Sequence, residues 1–112
     1  MPKDIKNPVT EAVEKVSAAR FAERLAAGAR AFDTRSLARY ERDALPGVSH
    51  LSLEMAQAGD FPAVPRDEPV YLICERGQIS ELVGLYLKEA GFGEVYNVEG
   101  GMLAWRQLKE TN

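Results

Sequence analysis

The sequence is poor in the side chains that build disulfides and metal sites, with one cysteine, Cys74, and one histidine, His50, among its 112 residues. A single cysteine cannot form an internal disulfide, and with one histidine it cannot supply the ligands of a structural zinc site. We therefore expect no disulfide and no metal centre, and no second thiol within this chain to resolve an oxidised Cys74.

Long apolar runs and blocks of one charge are also missing. No run approaches the roughly 20 apolar residues of a transmembrane helix, and residues 1–6 lack the apolar core of a signal peptide. The chain has 14 Lys and Arg against 17 Asp and Glu, a net charge of −3 and a pI near 5.2, with both signs interspersed. These features predict a cytoplasmic protein that binds neither nucleic acid nor a membrane.

What is present fits one α/β domain. An apolar fraction of 46% suffices for a single core in a chain of this length. Short apolar runs alternate with amphipathic stretches between glycine and proline residues, a pattern typical of β-α-β units around a parallel sheet. We predict a three-layer α/β domain over residues 17–112, with helices on both faces of a mostly parallel sheet.

The predicted elements follow from local signals. Ser17 caps a helix that Gly28 ends, and the uninterrupted apolar run Val70–Ile73 predicts a central strand covered on both faces. A later helix, ended by Gly91, is predicted to bury Leu82, Leu85, Tyr86 and Ala90. The other predicted elements are strands at 29–32, 48–51 and 94–98, short helices through Leu37 and Tyr40 and over 52–58, and a last helix packing through Met102, Trp105 and Leu108.

Residues 1–16 are predicted to form a helical arm outside the domain. Asn7 followed by Pro8 is typical of a helix cap with proline at the first helical position. Val9, Val13 and Val16 would then share one face of the helix. The end of the arm is left open, because Val16 fits equally well in a short strand before the next helix.

Cys74 stands where the apolar strand ends and a helix begins, at the edge of the sheet where ligands collect. Unpaired N–H groups and the helix dipole stabilise an anion there, and a thiolate so placed is a nucleophile. Gly77 suits the positive φ of a tight turn whose N–H groups form an anion-binding nest. Glu75 opposes negative charge on the sulfur, whereas Arg76 favours it. The alternative is that Cys74 is a small, inert, buried side chain.

Four segments of the chain carry motifs. They are Asp33-Thr34-Arg35, Pro46-Gly47-Val48, Cys74-Glu75-Arg76-Gly77-Gln78-Ile79-Ser80 and Ala90-Gly91-Phe92-Gly93-Glu94-Val95-Tyr96-Asn97-Val98-Glu99-Gly100-Gly101-Met102-Leu103-Ala104-Trp105. In this order and spacing they resemble the single-domain rhodaneses of the rhodanese-like sulfurtransferase family, over about residues 17–108. The matched family elements are Asp-Val-Arg, Gly-His-Ile-Pro-Gly-Ala, the Cys-x-x-Gly-x-x-Ser active loop and the closing signature.

The resemblance implies a five-stranded rhodanese-like sheet and a ping-pong sulfur transfer without a cofactor. Cys74 would take a sulfane sulfur from a donor such as thiosulfate and pass it from a persulfide to an acceptor such as cyanide, a thiol or a thiol-bearing protein. We expect a monomer or weak dimer. The residues expected to bind substrate are Glu75, Arg76, Gly77, Gln78, Ile79, Ser80 and Arg35, with Asp33 as structural support.

Two segments, three positions in all, depart from the family pattern. Ile79 stands where many relatives carry an arginine, a side chain that would attract an anionic donor. Asp43-Ala44 stands where the usual Gly-His precedes the proline turn. For Asp33 and Arg35 the alternative role is structural, as a turn cap and its ion pair.

Two other functions compete with sulfur transfer. Phosphatase or arsenate reductase chemistry also uses a cysteine in an anion loop, but it needs an arginine clamp, typically at the sixth residue after the cysteine, where Ser80 stands here. The second alternative is a non-catalytic rhodanese-like module that binds a partner or senses redox state through Cys74.

Overall fold

The computed structural model describes residues 13–110. Its strands are β1 (Val13–Val16), β2 (Arg30–Asp33), β3 (Ser49–His50), β4 (Val70–Ile73) and β5 (Val95–Val98). Its helices are α1 (Ala18–Ala26), α2 (Leu37–Asp43), α3 (Leu53–Gln57), α4 (Ile79–Glu89) and α5 (Gly101–Glu110). The strands form one five-stranded sheet in the order β1-β5-β4-β2-β3, with every pair parallel. None of the helices described here is long and apolar enough to cross a bilayer.

Helices cover both faces of the sheet, which confirms the predicted three-layer arrangement. Along β4, Val70 and Leu72 belong to one apolar cluster with α3 and α4, whereas Tyr71 and Ile73 belong to a second cluster with α1 and α5. All of β4 is buried, because a central parallel strand is covered on both sides. The strand that leads to Cys74 is therefore buried along its whole length.

The ends of α1 show how local signals fix the elements. The Ser17 hydroxyl accepts the N–H of Arg20 at 3.0 Å, as the predicted cap requires. Gly28 follows the helix with a φ of 92°, a conformation that glycine adopts without strain. Phe21 is fully buried on the packing face of α1. The predicted helix is confirmed to within a residue at each end.

The predicted helical arm needs correction where the structure describes it. Val13–Val16 forms a strand that pairs with β5. The helix prediction is therefore wrong for residues 13–15, and the strand alternative left open for Val16 is confirmed. Val13 and Val16 pack against the two apolar clusters, whereas Glu14 and Lys15 are exposed. Valine favours strands, and pairing with β5 satisfies the backbone along that side of the sheet. The remainder of the arm, residues 1–12, lies outside the described residues.

The buried face of α4 also differs from the prediction. Leu82 is 46% exposed, and the buried residues of the helix are Ser80, Val83, Gly84 and Leu87. The reason is a close approach at Gly84, where an added Cβ would lie 2.8 Å from the Val13 side chain. Tyr86 and Ala90 are partly buried against the cluster that includes α3 and α4, so the prediction is wrong for Leu82. The apolar residues alone do not reveal the contact at Gly84, because glycine has no side chain.

Candidate active site

Cys74 lies directly after β4, and the loop that follows it leads into α4. The thiol is almost fully buried, with 3% exposure. A cavity of about 310 Å³ opens beside it, lined by Arg39, Cys74, Glu75, Arg76, Gln78 and Ile79. The sulfur is therefore shielded from bulk solvent at the bottom of a cleft into which a small molecule fits.

Two backbone amides of the loop converge on the sulfur. The N–H of Gly77 donates to Cys74 Sγ at 3.0 Å, and the N–H of Ser80 donates to the same atom at 3.4 Å. Gly77 makes this turn with a φ of 92°. The amides of residues 75, 76, 78 and 79 make no hydrogen bond within the described range 13–110. The loop is thus a nest of N–H groups around Sγ, of the kind that binds anions.

The N-terminus of α5 holds the loop carbonyls on the opposite side. The N–H of Met102 donates to the Cys74 carbonyl at 2.7 Å, and the N–H of Leu103 donates to the Glu75 carbonyl at 3.1 Å. Gly101 has a φ of 54°, and a Cβ there would collide with the Cys74 carbonyl oxygen. The start of α5 at Gly101 is therefore a contact surface for the cysteine loop.

Two buried polar residues, Ser80 and Asn97, form a hydrogen-bonded pair beside the sulfur. Ser80 Oγ lies 3.3 Å from Cys74 Sγ and 2.5 Å from Asn97 Oδ1, and Asn97 Nδ2 donates to the Gly77 carbonyl at 2.8 Å. Sequence reasoning assigned Ser80 to the site but missed Asn97. The available signal was an amide side chain between the apolar neighbours Tyr96 and Val98 of strand β5.

Asp33 and Arg35 form a buried ion pair beside the loop. Arg35 Nε and Nη2 donate to the Asp33 carboxylate at distances of 2.8 to 3.1 Å, and Nη2 also reaches Asp43 at 2.8 Å. Burial alone would lower the pKa of Arg35, but the hydrogen bonds that it donates to Asp33 and Asp43 outweigh burial, and the pKa is raised. Arg35 is not among the residues that line the cavity. Its geometry matches the structural alternative considered from sequence.

Glu75 does not stand as an uncompensated negative charge beside the sulfur. Its carboxylate accepts from Arg106 at 2.7 Å and lies 3.6 and 3.8 Å from guanidinium nitrogens of Arg35 and Arg39. The Arg106 hydrogen bond is the main reason that the pKa of Glu75 is lowered. The same bond raises the pKa of Arg106. Arg39 and Arg106 were missed from sequence, because neither lies in the cysteine motif.

The remaining loop side chains line the entrance to the cavity. Arg76, Gln78 and Ile79 are exposed there, with Ile79 at 41%. Ile79 brings no charge to this wall. Arg39 of α2 does, because its half-exposed guanidinium belongs to the same lining. The cavity is thus bordered by two cations, Arg39 and Arg76, and by the ion-paired carboxylate of Glu75.

Comparisons with known proteins match most of this chain to one family. The family model for the Rhodanese-like domain matches residues 17–108. A tRNA sulfurtransferase of Desulfurococcus amylolyticus is 45% identical over 74 residues, which are 66% of this chain and 14% of that protein. The thiosulfate sulfurtransferase GlpE of Coxiella burnetii is 34% identical over 80 residues, 71% of this chain and 74% of that protein.

A solved structure gives the same result for the fold. The rhodanese homologue of Thermus thermophilus superposes with a TM-score of 0.66 at 33% sequence identity, covering 81% of this chain and 99% of that one. Nearly the whole of that protein is therefore matched by this chain.

Proposed function

The chain belongs to the rhodanese-like domain family, and from this premise we propose that it is a sulfurtransferase that carries a sulfane sulfur as a persulfide of Cys74. Relatives named as sulfurtransferases support the class of reaction. The observation that carries the proposal is the convergence of the Gly77 and Ser80 amides on Cys74 Sγ. Those donors stabilise a thiolate without a histidine base.

The proposed reaction has two steps. In the first, an electron pair of the Cys74 thiolate forms a bond to the sulfane sulfur of thiosulfate, the donor S–S bond breaks, and its electron pair leaves with sulfite. In the second, cyanide or a thiolate attacks the outer sulfur of the persulfide, and the bond to Sγ breaks to regenerate the Cys74 thiolate. No electrons enter or leave, and each step conserves charge.

The cavity supports an anionic donor and an outside acceptor. Arg39 and Arg76 place positive charge at its wall, and the loop amides that have no partner within residues 13–110 are available to the charged outer sulfur of a persulfide. Cys74 is the single cysteine of the chain. The persulfide is therefore discharged onto a small thiophile or onto a thiol of another protein.

Intact mass spectrometry after exposure to a sulfane donor tests the proposal. We expect wild type to gain about one sulfur atom, cyanide to remove it, and Cys74→Ser to gain nothing. Thiosulfate, mercaptopyruvate and glutathione persulfide should be compared as donors in steady-state assays, with Cys74→Ala as the blank. If no donor loads the wild-type protein, the enzymatic proposal fails and the non-catalytic binding or redox-sensing module is favoured.

A further inference from the structure

A chain of hydrogen bonds connects the reactive sulfur to the last strand of the sheet. It runs from Cys74 Sγ to Ser80 Oγ at 3.3 Å, from there to Asn97 Oδ1 at 2.5 Å, and from Asn97 Nδ2 to the Gly77 carbonyl at 2.8 Å. All three side chains are buried, with 3%, 0% and 2% exposure for Cys74, Ser80 and Asn97. With water kept out, the direction of each hydrogen is set by the protein.

The direction of these bonds follows from the number of hydrogens each group holds. The Gly77 carbonyl only accepts, so the amide nitrogen of Asn97 faces it and Oδ1 faces Ser80. Oδ1 holds no hydrogen, and the hydroxyl of Ser80 therefore donates to it. A hydroxyl has one hydrogen. Ser80 Oγ consequently presents its lone pairs, rather than a donor, to Cys74 Sγ.

The orientation of the Ser80 hydroxyl affects the thiol, the thiolate and the persulfide of Cys74 differently. A thiol is compatible with this orientation, because its S–H donates to Ser80 Oγ. A thiolate at Sγ meets the hydroxyl lone pairs, although the Gly77 and Ser80 amides still favour it. In a persulfide the negative charge lies on the outer sulfur and Sγ is neutral, so the contact with Ser80 Oγ carries no penalty from charge.

We propose that Asn97 is a positioning residue that holds the Ser80 hydroxyl hydrogen away from Cys74 Sγ and thereby favours the persulfide over the free thiolate. This rests on the sulfur transfer proposed above. As the sulfur is loaded, the thiolate electron pair forms the new S–S bond, the donor bond breaks, and the donor's remaining anion takes its electron pair. Negative charge thus moves from Sγ, which the Ser80 hydroxyl does not stabilise, to the outer sulfur in the cavity.

The charged side chains near Cys74 also influence its thiolate, but the variants used to test the proposal leave them unchanged. Glu75, Arg76 and Arg39 line its cavity, and Glu75 is bound in turn by Arg35 and Arg106. No charged side chain in the described range makes a hydrogen bond to Sγ. Asn97→Ala and the double variant both lack the hydrogen bond from Asn97 to the Gly77 carbonyl, so the difference between these two variants isolates the Ser80 hydroxyl.

The test measures how fast iodoacetamide alkylates Cys74 as a function of pH in wild type, Asn97→Ala, Ser80→Ala and the double variant. In Asn97→Ala the freed hydroxyl donates to the thiolate, and we expect the midpoint of the profile to fall by about one pH unit or more. Ser80→Ala should shift it less, because it removes the lone pairs without supplying a donor. The double variant should behave like Ser80→Ala.

Two results would overturn the role of Asn97: a midpoint that does not fall in Asn97→Ala, or an equal fall in Asn97→Ala and the double variant. Thermal unfolding checks that each variant is folded. If Asn97→Ala is not folded, Asn97→Leu replaces it in the single and in the double variant, because leucine has the same branched shape without an acceptor.

Alkylation needs no sulfur donor, so this test is separate from that of the proposed function. A wild type that loads sulfur while Asn97→Ala has an unchanged midpoint refutes only the positioning role. A wild type that fails to load sulfur while the midpoint falls as expected refutes only the sulfurtransferase. If both hold, cyanide should discharge the Asn97→Ala persulfide faster than that of wild type, because the departing thiolate is better stabilised.

Discussion

At the scale of single residues, glycine at two positions lets the backbone serve as the binding group. Gly77 turns its own N–H toward the sulfur with a φ of 92°. Gly101 lets the start of α5 approach the Cys74 carbonyl more closely than any side chain would permit. The anion site is therefore built from amide groups, whose positions are fixed by the fold rather than by flexible side chains.

Gly101→Ala should lower both stability and sulfur uptake by more than backbone strain alone would cause. The new Cβ collides with the Cys74 carbonyl oxygen and with the Glu75 backbone. We expect a loss of more than about 3 kcal/mol in the free energy of unfolding, and no sulfur uptake by the folded fraction. Urea denaturation and intact mass spectrometry measure the two effects.

Gly28→Ala is the matched control. Gly28 also has a positive φ, of 92°, but an added Cβ meets nothing within 4 Å. It should cost only the backbone strain, about 1–2 kcal/mol, and leave sulfur uptake unchanged. Equal behaviour of the two variants would show that contact between α5 and the cysteine loop is unimportant.

At the scale of elements, three helices meet at the carboxyl edge of the sheet and each contributes something different. The start of α4 supplies the Ser80 amide, the start of α5 binds the loop carbonyls, and α2 brings Arg39 to the cavity. Positive charge thus reaches the site from a separate element. Ile79, which lines the same cavity, carries no charge, so the loop position that it occupies contributes none of this positive charge.

Arg39→Ala should weaken the binding of an anionic donor without abolishing the reaction. Arg39 is half-exposed, and an exposed charge contributes up to about 1 kcal/mol, so we expect the KM for thiosulfate to rise about two- to fivefold. Arg42→Ala, an exposed arginine at the other end of α2, should leave the KM unchanged. High salt should remove the difference between the variants. A KM that responds equally to both changes would argue against Arg39 as the donor-binding charge.

At the scale of the whole molecule, ion pairs connect parts of the chain that are distant in sequence. Three carboxylates and three arginines form this network: Asp33, Asp43 and Glu75, with Arg35, Arg39 and Arg106. It joins β2, α2, the cysteine loop and α5 on the side of the sheet where the cavity lies. Stability and site geometry are therefore coupled through the same groups.

The network predicts a loss of stability in acid. Hydrogen bonds from Arg35 and Arg106 lower the pKa of Asp43 and of Glu75, respectively. A carboxylate with a lowered pKa stabilises the fold above its unfolded pKa, and that contribution is lost as pH falls through the folded value. The free energy of unfolding should therefore decrease below about pH 4.5, near the ordinary pKa of these groups. Urea denaturation between pH 7 and pH 3 measures it.

The combined variant Asp43→Asn and Glu75→Gln tests the source of this acid sensitivity. It should be less stable than wild type at pH 7, because Arg35 is left buried with fewer partners, but its stability should change less between pH 7 and pH 3. Asp60→Asn combined with Glu89→Gln, two exposed carboxylates outside the network, should retain the wild-type slope. An unchanged slope in the first variant would contradict the assignment.

The fold was largely predictable because its signals are local. Ser17 and Gly28 bound α1 through hydrogen bonds within a few residues, and the apolar run Val70–Ile73 identifies a central strand by itself. The predictions were wrong where contacts between distant parts of the chain determine the secondary structure or the buried face. Val13–Val16 has spacing that a helix also accepts, and only pairing with β5 makes it a strand. The packing face of α4 depends on Gly84, which has no side chain to reveal it.

The sequence by itself determined the α/β class, the place of Cys74 between strand and helix, and the glycine that turns the loop, since each follows from the order of neighbouring residues. Only the tertiary structure decided the environment of the sulfur. Asn97 reaches Ser80 from another strand, and Arg106 neutralises Glu75 from the last helix. These contacts join residues far apart in the chain, and their directions arise from packing and hydrogen-bond geometry that no local pattern encodes.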